Sequence, residues 1–332
     1  MTDCFYQLGS FELQGRRVSG LVLDEEVFDL AEVANRAGIA LPPVATLAEL
    51  LDDWQPNLAR CAQIAEFARG AGAEALGAVP VGQTRPLPPL GRLGKQIYAA
   101  ANYRDHVAGM RKTFTPKFQQ SDAQPPLEPY FFGKVCAPTG AYDDVVLPHG
   151  MQRIDWEAEL MVVIGRAGRN VRPEEVKDHI AGYMTTNDLS CRDRTWRLDR
   201  PSLRSDWFGG KSWDSFAPMG PYFTPAVFMK DHADLNVRCW VNGELKQDGN
   251  TGAMIFSIED QVAYISRMLT LLPGDVIATG TPAGTGQERL EYLKAGDVIE
   301  AEVEMCGKQV NRVVEGPAGY VEVRGKEAEI LA

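Results

Sequence analysis

Two carboxylates, Glu157 and Glu159, sit two residues apart in Ile154-Asp155-Trp156-Glu157-Ala158-Glu159-Leu160-Met161-Val162-Val163-Ile164-Gly165, a run that otherwise reads as a buried strand. Side chains on a strand alternate faces, so both glutamates point one way while Trp156, Ala158, Leu160, Val162 and Ile164 point the other. Like charges held together on an apolar strand are costly unless a cation or a proton neutralises them. A second apolar segment, Tyr183-Met184-Thr185-Thr186-Asn187-Asp188, ends in another carboxylate. Three acidic oxygen donors without a neighbouring His or Cys suit a hard cation, Mg²⁺ or Mn²⁺. The solvent-facing edge of a sheet would carry the same residues, and spacing alone leaves both readings open.

Other residue types invite the same double reading. His106, in Asn102-Tyr103-Arg104-Asp105-His106, is one of only 4 histidines and is either a base or a structural imidazole. Lys211 follows Gly209-Gly210, where the backbone can approach a ligand closely and the lysine can present a point charge, or which is simply a surface turn. Arg192, Arg194, Arg197, Arg200 and Arg204 crowd the segment after Asp188. Arg192, four residues on, could clamp a substrate carboxylate while the others are solvated. Thr279-Gly280-Thr281-Pro282-Ala283-Gly284-Thr285-Gly286 lacks the Walker lysine, yet its backbone N–H groups could bind an anionic oxygen; a plain tight turn is the alternative.

The elements that must position these groups follow from local pattern. Short strands are expected at 5–8, 17–23 and 26–30, with Asp24-Glu25 as a hairpin turn, and helical spacing runs over 46–70. A Pro-rich stretch from Val79-Pro80 to Leu90 is the best linker, which divides the chain into a small N-terminal domain, 1–85, and a catalytic domain, 86–332. Ser257 with Asp260 reads as a capping box opening a helix that Pro273-Gly274 ends. A shorter helix opens at Pro173. Pro273-Gly274-Asp275 and Ala295-Gly296-Asp297 each turn into a strand. The stretch from Arg104 to Pro129 is aperiodic and rich in Pro and Gln, as a lid would be. The fold class is α+β, mostly β.

Composition excludes several functions. With 332 residues, 45% hydrophobic and 24% charged, the chain is of ordinary globular make-up. A formal charge of −11 argues against nucleic acid as partner. No run long enough to cross a membrane and no signal peptide is visible. The 6 cysteines are scattered without a C-x-x-C pair, which suits reduced thiols and a cytoplasmic location.

In order, Asn102 to His106, Phe132-Gly133-Lys134, Asp155 to Gly165, Asn187-Asp188-Leu189-Ser190-Cys191-Arg192-Asp193, Gly210 to Asp214, Val241-Asn242-Gly243-Glu244, and Leu272 to Pro282 resemble the fumarylacetoacetate hydrolase family. The resemblance spans residues 95–312. It implies a β-sandwich roll behind a small N-terminal α+β domain, usually assembled as a homodimer. It also implies an enzyme acting on small 2-oxo or diketo acids, as in the catabolism of aromatic compounds. By motif position, Glu157, Glu159 and Asp188 would hold Mg²⁺ or Mn²⁺, and Lys211 would polarise the substrate carbonyl. Arg192, Gly280 and Thr281 would contact substrate, and His106 would be the general base. The expected reaction is hydrolysis of a carbon–carbon bond in an acylpyruvate. The alternatives are decarboxylation or isomerisation of a 2-oxo acid, or a non-catalytic relative.

Two departures bear on the chemistry. Many family members carry Glu three residues after the histidine, where this chain has Gly109, so the partner carboxylate is missing locally; Asp105 and Glu128 are the candidate substitutes. Thr195 stands where some members have Gln. Restoring glutamate at position 109 is the obvious test of the first departure.

Overall fold

The computed structural model describes residues 4–13, 15–42, 46–113, 126–197, 199–200, 202–203 and 205–318. It is a mixed α+β, strand-rich chain. Gln7–Leu13, Arg16–Leu23 and Glu26–Asp29 form an antiparallel meander. Asp24 and Glu25 make its hairpin turn with φ of 48° and 65°, the left-handed pair a two-residue hairpin demands. The helix expected over 46–70 is two helices, Ala48–Leu51 and Trp54–Ala71, broken where Asp53 leaves helical geometry. The Pro-rich stretch is not free linker. Arg85–Leu87 pairs with Gln7–Leu13 as the edge strand of the N-terminal sheet, a place where proline's missing N–H costs least. Trp54 packs edge-on against Phe223 at 5.4 Å, and one apolar core joins Leu8 and Ile64 to Leu160 and Val162.

The central sheet runs Tyr130–Gly133, Gln96–Ala100, Val276–Ala278, Ala158–Ile164, Ile180–Asn187, Pro218–Met219, Thr139–Gly140. Ala158–Ile164 is paired on both sides and all of its residues are buried. That removes the solvent-facing-edge reading of Glu159. A second sheet, Glu244–Asn250, Asn236–Val241, Val298–Val303, Gly307–Glu315 and Val145–Leu147, packs against it. There burial alternates along Val298–Val303, as it does when one face is covered and the other wet.

The two Gly-Asp turns share one device: Asp275 accepts from Leu272 N and Lys95 N, and Asp297 from Lys294 N and Asn242 Nδ2. Ser257 and Asp260 form the expected capping box on Ile258–Met268, and Pro173–His179 is a 3₁₀ turn packed on that helix. The stretch expected to be an aperiodic lid is helical from Arg104 to Thr113; residues 114–125 lie outside the described ones. Val107 and Met110, three apart, supply a short apolar stripe too brief to stand out among Arg, Asp and Lys. This helix packs on the turn Gly286–Arg289, and that contact decides the site.

Candidate active site

Glu157, Glu159 and Asp188 converge, with one oxygen from each lying within 4.8 Å of the others. Asn187 and Asp188 bring the two segments together. Asn187 Oδ1 accepts from Glu157 N at 2.9 Å, and Asp188 N donates to the Glu157 carbonyl at 2.8 Å. Glu159 is fully buried; Oε2 accepts from Gly280 N at 2.8 Å, while Oε1 has no hydrogen-bond partner among the described residues. Burial, then the Asp188 and Glu157 charges, push the Glu159 carboxyl well above the usual carboxylate range. A buried, unpartnered acidic oxygen is expensive. A hard divalent cation among three carboxylates removes that cost, so this donor set fits Mg²⁺ or Mn²⁺.

Lys211 bridges two of the same carboxylates, donating to Glu157 Oε2 at 2.7 Å and Asp188 Oδ2 at 2.5 Å. Burial alone would depress its ammonium, but Asp188 and then Glu157 outweigh this and keep it charged. Burial would likewise raise Glu157, yet Lys211 and then Arg192 hold it below the usual range. The glycines before Lys211 serve packing and not ligand approach: a Cβ on Gly210 would stand 2.7 Å from Thr195 Oγ1. Asp206 caps this short Trp207–Lys211 helix through Gly209 N at 2.8 Å.

Two charged residues escaped sequence reasoning. Lys134, wholly buried, donates to Asp188 Oδ1 at 2.6 Å and lies 5.2 Å over the Tyr98 ring. Asp155 takes Arg192 Nε at 2.8 Å, Gly286 N at 2.5 Å and Gln287 N at 3.1 Å. Its signal was present, because Asp155, Glu157 and Glu159 recur at every second position, although the strands Ile154–Asp155 and Ala158–Ile164 are separated by Trp156-Glu157. Arg192 also pairs with Glu157, so its charge is committed to two protein carboxylates, although it still lines the cavity. Arg197 pairs with Asp199 and Asp206, and Arg204 lies outside the described residues. Arg192→Ala is therefore expected to cost about 3–5 kcal/mol of stability, because it leaves two buried carboxylates short of a partner. Urea unfolding checks this; a loss below about 1 kcal/mol would mean that the pair is not structural.

His106 is buried, and its Nδ1 lies 2.5 Å from Glu288 Oε1. The partner carboxylate is thus present, 182 positions away in sequence, and is neither Asp105 nor Glu128. Asp105 takes only the His106 backbone N–H, and Glu128 reaches Tyr264. Thr285 Oγ1 and Gly284 N hold Glu288 in place. Gly109 is explained by the same contact, since a Cβ there would stand 2.2 Å from Glu288 Oε2.

The Gly-rich turn does bind anions, but they are the site's own carboxylates. Gly280 N goes to Glu159, Gly284 N to Glu288, and Gly286 N and Gln287 N to Asp155. Gly280, with φ of 97° and Asn102 Cβ 2.9 Å from where its own Cβ would be, orients a carboxylate where a substrate contact was expected. Thr281 Oγ1 donates to the Ala158 carbonyl and accepts from Gln247, both at 2.8 Å, and its side lines the cavity. Glu157, Glu159, Lys211, Arg192, His106 and Thr281 all border one cavity of about 260 Å³, and Thr195 lies beside them. Asp188 sits behind, held by both lysines.

Comparison with known proteins agrees with this geometry. Residues 95–314 match the model of the fumarylacetoacetate hydrolase C-terminal domain. The human mitochondrial oxaloacetate tautomerase FAHD2A is 38% identical over 272 residues, covering 81% of this chain and 80% of that protein. A 2,4-didehydro-3-deoxy-L-rhamnonate hydrolase of Sphingomonas sp. (strain SKA58) is 36% identical over 75% of this chain and 82% of its own. Maleylpyruvate hydrolase from Sphingobium sp. SYK-6, solved with manganese(II) and pyruvate, superposes with a TM-score of 0.69 at 29% identity, covering 94% of this chain and 100% of that one. Among the described residues no helix is long and apolar enough to cross a membrane. The sequence motifs, the converging carboxylates and these likenesses agree: the chain belongs to the fumarylacetoacetate hydrolase family.

Proposed function

We propose that the protein hydrolyses the carbon–carbon bond of an acylpyruvate. The observation that carries this is the buried His106–Glu288 pair, whose imidazole lines the cavity shared with Glu157 and Glu159. An acceptor on Nδ1 places the imidazole proton there and leaves Nε2 as the basic nitrogen. His106 takes a proton from water, and the water oxygen bonds to the distal carbonyl carbon. The carbon–carbon bond then breaks, its electron pair passes into the pyruvate enolate, and His106 returns the proton to the enolate carbon. Lys211 faces the growing negative charge with a fixed ammonium. A Mg²⁺ or Mn²⁺ ion held by Glu157, Glu159 and Asp188 would supply Lewis-acid stabilisation of the head-group oxygens. Thr281 and Arg192 would border the pyruvoyl carboxylate.

Likeness to the oxaloacetate tautomerases favours a second reading, proton transfer between the keto and enol forms of a 2-oxo diacid by the same acid–base pair. Assaying acylpyruvates and oxaloacetate in parallel, with Mn²⁺, with Mg²⁺ and after chelation, separates the two. Release of pyruvate and a free acid that stops on chelation and returns with metal supports hydrolysis; enol loss without cleavage supports the tautomerase. The homodimer and the divalent cation belong to the same proposal, with light scattering at twice the chain mass as the expected result. The human relative FAHD2A is mitochondrial, so the likeness does not favour the cytoplasmic location that reduced thiols suggest.

The acid–base pair makes a sharper prediction. Glu288→Gln should lower hydrolysis by roughly 10²–10⁴-fold, because the amide neither enforces the tautomer nor stabilises the imidazolium. Gly109→Glu, which sequence alone recommends as a gain, should instead lose activity through collision with Glu288. Combining it with Glu288→Ala should recover part of what Glu288→Ala loses. Steady-state kinetics on one acylpyruvate tests all three; improved turnover in Gly109→Glu alone would refute the assignment.

A further inference from the structure

The chemistry proposed above occupies only the carboxylate end of the cavity. Its remaining wall is mostly apolar, Ala100, Val107, Met110, Phe132, Trp196 and Trp207, with Thr195, Ser205 and Gln287 among them. Two of these are fixed before any ligand arrives. Trp207 stacks on Phe132 at 4.8 Å with 14° between the rings, and its Nε1 donates to Tyr130 Oη at 3.1 Å. Phe132 in turn lies under the Lys211 ammonium at 5.2 Å and against Tyr98 at 5.8 Å. The aromatic wall is thus continuous with the catalytic lysine. Val107 and Met110 reach the same cavity from the helix that carries His106. A mostly apolar slot beside the carboxylate end rewards apolar area and penalises hydration there. Arg111 also lines the cavity from an exposed position, where an ion pair with a distal anion is worth little.

We propose that the substrate's acyl group is bulky and apolar, an aryl ring or a butyl-sized chain, seated among Met110, Phe132, Trp196 and Trp207. The inference rests on the hydrolase reading for its reaction but not for its recognition. It follows that acetylpyruvate and oxaloacetate underfill the slot. Recognition is tested without turnover by calorimetry on the Mn²⁺-loaded protein. The probes are 2-oxo acids that lack the second carbonyl and cannot be cleaved: 2-oxobutanoate, 2-oxo-4-phenylbutanoate and 2-oxoadipate. The phenyl acid should bind at least about tenfold more tightly than 2-oxobutanoate and more tightly than 2-oxoadipate. In Trp196→Ser, a change at a partly exposed position, the phenyl preference should collapse toward one. Equal binding of all three, tighter binding of 2-oxoadipate, or a preference untouched by Trp196→Ser would overturn the proposal. Turnover of benzoylpyruvate and acetylpyruvate is measured separately. A phenyl preference in binding with no cleavage of either would sink the hydrolase reading and leave the slot standing.

Discussion

Glu159→Gln is expected to fold at least as stably as the parent protein and to lose metal-dependent turnover. The amide oxygen keeps the bond from Gly280 N, 2.8 Å long in the parent, while a buried acid that must either stay protonated or carry an uncompensated charge gives way to a neutral amide. Losing an anionic ligand should weaken Mn²⁺ binding by at least roughly 100-fold, since even changes behind the ligands cost 10–100-fold. The two effects have opposite signs, which separates them from general damage. A pH dependence sharpens the test. In chelator, the folded chain holds a proton on Glu159 that the unfolded chain releases above the ordinary value of 4.5. The parent protein therefore loses stability as pH rises from there, and the loss continues until Glu159 ionises in the folded state. Glu159→Gln should remove that slope, so its stability advantage grows with pH. Urea unfolding across pH, with Mn²⁺ binding by electron paramagnetic resonance, measures both. Unchanged Mn²⁺ affinity would end the assignment of Glu159 as a ligand.

Lys211→Met should reduce kcat by about 10³-fold, the scale of losing one preorganised donor at developing negative charge. Methionine preserves the apolar stem against Phe132 without the ammonium. The Glu157 and Asp188 carboxylates that the ammonium bridges at 2.7 and 2.5 Å then depend on Arg192, Lys134 and the divalent cation. Mn²⁺ should bind the variant no more weakly than the parent, because a competing positive charge has gone. Turnover within about tenfold of the parent, with Mn²⁺ bound, would remove Lys211 from the catalytic role.

Much of this site was legible in the sequence, and for local reasons. Alternation pointed Glu157 and Glu159 the same way, although the strand breaks at Trp156-Glu157 and only Glu159 lies within it, and the apolar run before Asp188 announced the strand Ile180–Asn187 that ends at it. Ser257 and Asp260 marked a helix start because a capping box needs only three residues of spacing. Asp24-Glu25 marked a hairpin because two residues between strands leave few turn geometries. The Arg104–Thr113 helix was missed because its stripe is two apolar residues deep, and the break at Asp53 because helical spacing continues on both sides of it.

The sequence by itself therefore determined which residue types could hold a cation and that the strands Ala158–Ile164 and Ile180–Asn187 would bring them close, Glu159 on the first and Glu157 and Asp188 at the ends of the two, since apolar runs of strand length are a local signal. Only the tertiary structure decided how their charges are spent. It set Lys134 and Lys211 on opposite oxygens of Asp188, gave Arg192 to Asp155 and Glu157, and brought Glu288 to His106. None of these pairs has a sequence period, because each joins separate elements of the fold. The missing glutamate at position 109 shows why this matters. One position looked like a lost catalytic group, while packing of the His106 helix on the Gly286–Arg289 turn had filled that space with another carboxylate.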